Sequence, residues 1–205
     1  MKTVTKLGHQ VLRRLPLLAS VLLIAIFSNC GNSSSSPTCT TTNTDFNMLY
    51  TQAVGLANHV DTNTYDTEIH EYTFTFSQNK TICSVGYQSQ PAIASVPYTI
   101  EIKNNTSNTV VYTGSHVFSS TATSYVSITP TPVVAGQSYT IRRTMLLTNA
   151  GNLFTNIIGR VVRHNGALVT FPKTFGLMTI TGAKFFQNGG PLIDTGIPYI
   201  DIAYY

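Results

Sequence analysis

Tryptophan is absent from this sequence, and charge is scarce: Asp, Glu, Lys and Arg together make up 10% of 205 residues. So little charge excludes a highly charged disordered chain. Cysteine is limited to three residues. That is too few for a dense disulfide framework or a four-thiolate zinc site. The sequence has no G-x-S-x-G, no H-E-x-x-H, no P-loop and no G-x-G-x-x-G. Ser115 and His116 are neighbours, but adjacent residues on a strand point to opposite faces and cannot act together. The chain is therefore not expected to be an enzyme. A hydrolase built from distant residues remains only the third class considered. No long amphipathic helix separates the apolar segments, which argues against βαβ crossovers and a parallel sheet. No internal repeat is visible.

What is present begins with an export signal. Lys2, Lys6, Arg13 and Arg14 form a basic start, and Leu15 to Phe27 is apolar apart from Pro16 and Ser20. The run is short for a permanent membrane span and sits where a signal peptide sits. It is followed by Phe27-Ser28-Asn29-Cys30-Gly31, which resembles the lipobox of bacterial lipoproteins. The resemblance implies cleavage before Cys30 and acylation of its thiol, so residues 1–29 read as a lipoprotein signal peptide and the membrane as a partner through the lipid. Phe27 and Asn29 depart from the strict pattern of the box. Gly31 is not the Asp that marks inner-membrane retention, so an outer-membrane location in the cell envelope is expected.

Four of the twelve basic residues and none of the eight acidic ones lie in that leader. The remainder is formally neutral, so the basic character of the whole chain gives no argument for nucleic acid. Cys39 and Cys83 are then an even pair in an oxidising compartment, which makes them a disulfide candidate. Residues 30–44 read as a Ser/Thr-rich tether that buries nothing, and residues 45–205 as the folded domain.

Within that domain Phe46, Leu49, Tyr50, Ala53, Val54 and Ala57 recur at helical spacing, with Thr44 or Asp45 as a cap. A strand or irregular cover fits the same short segment. From Ile69 the period becomes two. Tyr72, Phe74 and Phe76 share one face, and Glu71, Thr73 and Thr75 the other. Tyr98, Ile100 and Ile102 form a second inward set. Further strands are expected over Thr81–Gln88, Val110–Thr113, His116–Ser119, Tyr125–Thr129, Ser138–Leu147 and Ile157–His164. Pro130 and Pro132 read as breaks. Asn165-Gly166 reads as a hairpin turn into Ala167–Phe171, and Ile197–Tyr204 as a closing strand. Many short strands with Gly, Pro and Asn between them predict an all-β, antiparallel β-sandwich of about eight strands, jelly-roll-like or immunoglobulin-like.

The segments Tyr72-Thr73-Phe74-Thr75-Phe76, Val85-Gly86-Tyr87, Tyr98-Thr99-Ile100-Glu101-Ile102, Val110-Val111-Tyr112 and Val134 to Arg142 resemble bacterial extracellular β-sandwich modules of unknown function. The resemblance covers about a third of the chain. It implies fold and surface location, and no reaction or site residue.

Three constellations hold candidate chemistry. Asp61, Asn63, Asp66 and Glu68 offer hard oxygen ligands for a structural Ca²⁺. Their spacing departs from the EF-hand, and most acidic loops are simply solvated. His59 and His70 flank them without a closed zinc set. Tyr139, Arg142 and Arg143 are ligand-binding candidates. An arginine in phase with core-facing Tyr139 and Ile141 lies either in a concave site near tyrosine or, more ordinarily, exposed where the strand ends. Tyrosine is plentiful at 11, but the absence of Trp counts against many carbohydrate-binding designs, and most Tyr in such domains are core. The expected function is a non-catalytic module binding a glycan or an envelope or protein partner. The alternative is a structural or assembly subunit of an envelope complex.

Overall fold

The computed structural model describes residues 37–65, 68–145, 157–187 and 190–205. Thr38–Tyr205 is one compact unit. Cys30, Asp66 and the leader lie outside the described residues. Among the described residues no helix is long and apolar enough to cross a membrane.

Among the described residues the domain is all-β and antiparallel, with one short α-helix, α1 (Asp45–Val54). Its strands are β1 (His59–Tyr65), β2 (Ile69–Phe76), β3 (Lys80–Tyr87), β4 (Tyr98–Asn104), β5 (Thr109–His116), β6 (Ser124–Val133) and β7 (Tyr139–Thr144). They continue with β8 (Ile157–His164), β9 (Lys173–Phe175), β10 (Met178–Gln187), β11 (Gly190–Ile193), β12 (Ile197–Pro198) and β13 (Asp201–Tyr204). The main sheet runs β11-β10-β2-β7-β4-β5, with β9 also on β10. Two smaller sheets run β13-β3-β6 and β1-β8-β12.

Period two does what it predicts in the main sheet. Tyr72, Phe74 and Phe76 of β2 and Tyr98, Ile100 and Ile102 of β4 are buried. They meet Ile82, Val85 and Ile202 from the β13-β3-β6 sheet and Phe46, Leu49 and Tyr50 from α1 in a single core. The helical reading of that last segment holds: Phe46, Leu49, Tyr50 and Ala53 are its buried face, and Thr44 is the N-cap, its Oγ1 accepting the Asn47 N–H at 3.0 Å.

The described residues hold thirteen strands against the eight expected; β9, β10 and β11 were not anticipated, and three further expectations are corrected. First, the part of the acidic segment that holds Asp61 and Asn63 is not a loop but strand β1, antiparallel to β8. Second, Asn165-Gly166 turns the chain, Gly166 having φ +83, yet no hairpin follows. Both edges of β8 are occupied, by β1 and β12. Residues 167–172 therefore run as irregular backbone, and the Val169 N–H bonds the Asp194 carbonyl. Third, the closing strand is two strands in different sheets, β12 and β13. Pro130 and Pro132 also lie inside β6 rather than ending a strand. They are tolerated because β6 is the edge of its sheet and need not donate outward.

Candidate functional site

Two polar constellations and one buried arginine stand out from this framework. The first is on the outer face of the main sheet. Register places Lys184 of β10 beside Glu71 of β2, Glu71 beside Arg142 of β7, and Arg142 beside Glu101 of β4. Opposite residues on neighbouring strands share a face, so the four form a row of alternating sign. The Arg142 Nε donates to Glu71 Oε2 at 2.7 Å, and its guanidinium lies 5.8 Å from the Phe186 ring centre. Next to this row the register of β10 slips between Ile180 and Gly182. The bulge opens a shallow cavity of about 270 Å³ lined by Glu71, Thr73, Thr181, Lys184, Ile193 and Asp194. Its groups can accept and donate hydrogen bonds and offer one aliphatic wall. Among its described lining residues no nucleophile is paired with a base.

The second constellation surrounds Asp201 of β13, whose side chain is fully buried. Thr44 Oγ1 donates to Asp201 Oδ1 at 2.6 Å, and the Tyr125 hydroxyl donates to Oδ2 at 2.5 Å. Burial raises the Asp201 pKa to about 6, against the lowering effect of these hydrogen bonds. Nearby, Asn47 Nδ2 donates to the Tyr199 hydroxyl at 2.6 Å. Arg160 lies over the Tyr199 and Tyr50 rings, at 4.6 and 5.3 Å, and pairs with Asp61 Oδ2 at 2.6 Å. Desolvation raises the Tyr50 and Tyr125 pKa values, so both phenols stay protonated donors. A perturbed carboxylate marks candidate sites. Here its bonds run to the cap of α1 and to β6, so it joins three elements and is closed to ligand.

The geometry depends on a missing side chain. Asp201, Gly86 and Tyr125 are register partners across β13, β3 and β6. Tyr125 crosses over Gly86 to reach Asp201, and a Cβ on Gly86 would lie 2.6 Å from the Tyr125 ring. Gly86→Ala is expected to displace the ring and lower stability by about 2 kcal/mol, an overpacking cost. Urea unfolding checks it; an unchanged midpoint would mean the ring has room to yield. Thr44→Ala removes both the helix cap and an Asp201 donor, and is expected to cost at least about 1 kcal/mol in the same measurement.

The third feature corrects the arginine reading. Arg143 is 0% exposed, not at a frayed strand end. Its guanidinium carbon lies 5.2 and 5.3 Å from the Tyr87 and Tyr98 ring centres. Its in-register neighbour on β2, His70, is also buried and packs edge-on against Phe185 at 4.9 Å. Tyr139 is equally inaccessible: its hydroxyl accepts the Val134 N–H at 2.9 Å and donates to Gln137 at 3.2 Å. Of the three ligand-binding candidates only Arg142 faces solvent. Alternation on β7 makes this unavoidable, since Tyr139 and Arg143 share the core phase and Arg142 does not.

The metal candidates are likewise dispersed. Asp61 is held by Arg160 and by the Tyr50 hydroxyl at 2.9 Å. Asn63 lies in β1 opposite Arg160, and Glu68 is exposed. His59 packs edge-on against His164, and His70 against Phe185. No group of three His, Cys, Asp or Glu is placed to hold a metal among the described residues. Cys39 and Cys83 are joined by a disulfide.

Sequence reasoning missed Lys184 and Thr181, because β10 shows no clean alternation across its bulge, and Asp194, which lies just after β11. It also missed Asp201, although a lone acid between Ile200 and Ile202 was a usable signal. No family model matches the chain, and no curated protein matches it.

Proposed function

We propose that the domain is a non-catalytic envelope module, tethered through lipid on Cys30, that binds a hydroxyl-rich ligand of the glycan class on the outer face of its main sheet. The observation that carries this reading is the cavity at the β10 bulge. It sets Glu71, Lys184, Asp194 and two threonines around one aliphatic wall beside the Arg142–Glu71 pair. Such a surface exchanges hydrogen bonds with sugar hydroxyls without needing a deep pocket. Phe186, under Arg142, provides an aromatic neighbour in place of the missing tryptophan.

The test is a glycan array followed by thermal shift on the full chain. A binding sugar should raise the melting temperature, and Lys184→Ala with Thr181→Val should abolish that rise while leaving the unliganded melting temperature within about 2 °C. Binding that survives both substitutions would move the site elsewhere. Silence across the panel would remove the glycan reading.

A further inference from the structure

Sheet edges are where extended backbone recruits more backbone, and proteins ordinarily blunt them. Almost every edge among the described strands is blunted. Strand β11 has four residues including Pro191, and β12 has two including Pro198. Strand β6 carries Pro130 and Pro132. Strand β9 has three residues and β13 four. Strand β1 carries Asp61 and a register slip between Asn63 and Tyr65.

Strand β5 is the exception. It ends the main sheet, is eight residues long, and reads Thr-Val-Val-Tyr-Thr-Gly-Ser-His, with no proline and no Lys, Arg, Asp or Glu. Val110, Val111 and the following Val117 are 50, 39 and 50% exposed. Its single irregularity is near its start: register steps from Tyr112↔Ile102 to Val110↔Lys103, so Val111 is bulged. From Tyr112 to His116 the ladder is regular. On the inner face the Tyr112 hydroxyl bonds His116 Nε2 at 2.5 Å across Gly114, which satisfies these polar atoms within the strand.

We infer that β5 is an interface for a second copy of this chain, pairing antiparallel with its counterpart about a two-fold axis. The edge selects an extended backbone as occupant, because only that chemistry meets a row of main-chain donors and acceptors. It selects a copy because β5 carries no formal charge, so two identical strands meet without repulsion and bring β-branched side chains against each other. Blunting of the other edges leaves β5 to pair with itself, and an isologous pair closes as a dimer instead of propagating. This surface lies at the opposite end of the strand order from the β10–β11 cavity, so it does not depend on ligand binding there.

Sedimentation of the full chain in mild detergent, from about 1 to about 100 µM, should show a reversible dimer. Amide exchange of residues 112–116 should slow at least about tenfold with dimerisation. Thr113→Lys is expected to raise the dimer Kd at least about tenfold, through like charges across the axis. Its fold should persist, because Thr113 is exposed on the edge strand and a lysine there extends into solvent; an unchanged melting temperature checks this. A chain that is monomeric throughout overturns the inference. So does a dimer that survives Thr113→Lys with residues 112–116 unprotected, and so does protection that appears only when a different protein is added.

Discussion

Replacing Cys39 and Cys83 together by alanine is expected to lower the unfolding free energy by about 4 kcal/mol, the largest effect of any substitution considered. The bridge closes a loop with a sequence separation of 44, and the chain-entropy relation gives this magnitude for a loop of that length. The bond fastens the segment before α1 to the central strand of the β13-β3-β6 sheet. Without it the unfolded chain gains freedom and the folded chain loses the tie that holds Thr44 near Asp201. For a domain of this size the melting temperature should fall by about 10 °C. Urea unfolding of the wild type with and without reductant, beside the double variant, measures it. The reduced wild type and the variant should agree within about 1 kcal/mol, the cost of a small buried cavity. A loss below about 1 kcal/mol in both would show that the rest of the fold already restrains the segment.

The second large effect is a pH dependence centred on Asp201. Burial raises its pKa to about 6 from the ordinary aspartate value of 3.8. The folded state therefore binds this proton more tightly than the unfolded state. The contribution is fully present below the unfolded value and is lost as pH rises through 4 to 6. If the whole shift is realised, wild-type stability falls by about 3 kcal/mol over that window from this residue alone. Asp201→Asn cannot ionise and should lack the fall. The stability difference between variant and wild type should thus move in favour of the variant between pH 4 and pH 7, whatever its offset at pH 4. Using the difference removes the titration of His116, which burial lowers, because it is common to both proteins. A flat difference would mean that Thr44 and Tyr125 compensate the carboxylate fully. A movement in the opposite direction would mean that the carboxylate is the preferred buried form.

These two effects come from residues of very different legibility. Cys39 and Cys83 could be paired from their number and an expected oxidising compartment, since only two thiols remain once Cys30 is read as the lipid-bearing one. Asp201 could not be given its partners. Thr44 is 157 positions away and Tyr125 is 76, and only the register of three strands brings them together. The same contrast runs through the outer-face site. Arg142 was readable as a solvent-facing residue next to an inward one. Its row with Lys184, Glu71 and Glu101 depends on β10 joining β2, a pairing that no local pattern announces.

Local physics determined which faces are buried, because side chains on a strand alternate and an apolar set every second residue must turn inward. It also made a helix at Phe46 one of the readings open to that segment, through helical spacing and a threonine cap, and it determined the all-β class. Tertiary structure decided what alternation leaves open: which strands become neighbours, and so which polar side chains meet. Arg143 shows the difference within one residue. Its phase, read from Tyr139 and Ile141, pointed it at the core, and ordinary solvation arguments then pulled it out again. The structure keeps it inside because Tyr87, from a strand of another sheet, and Tyr98 present their rings to it. Strand pairing at long sequence separation is set by the fit of whole sheets in one core, and no single segment encodes that fit.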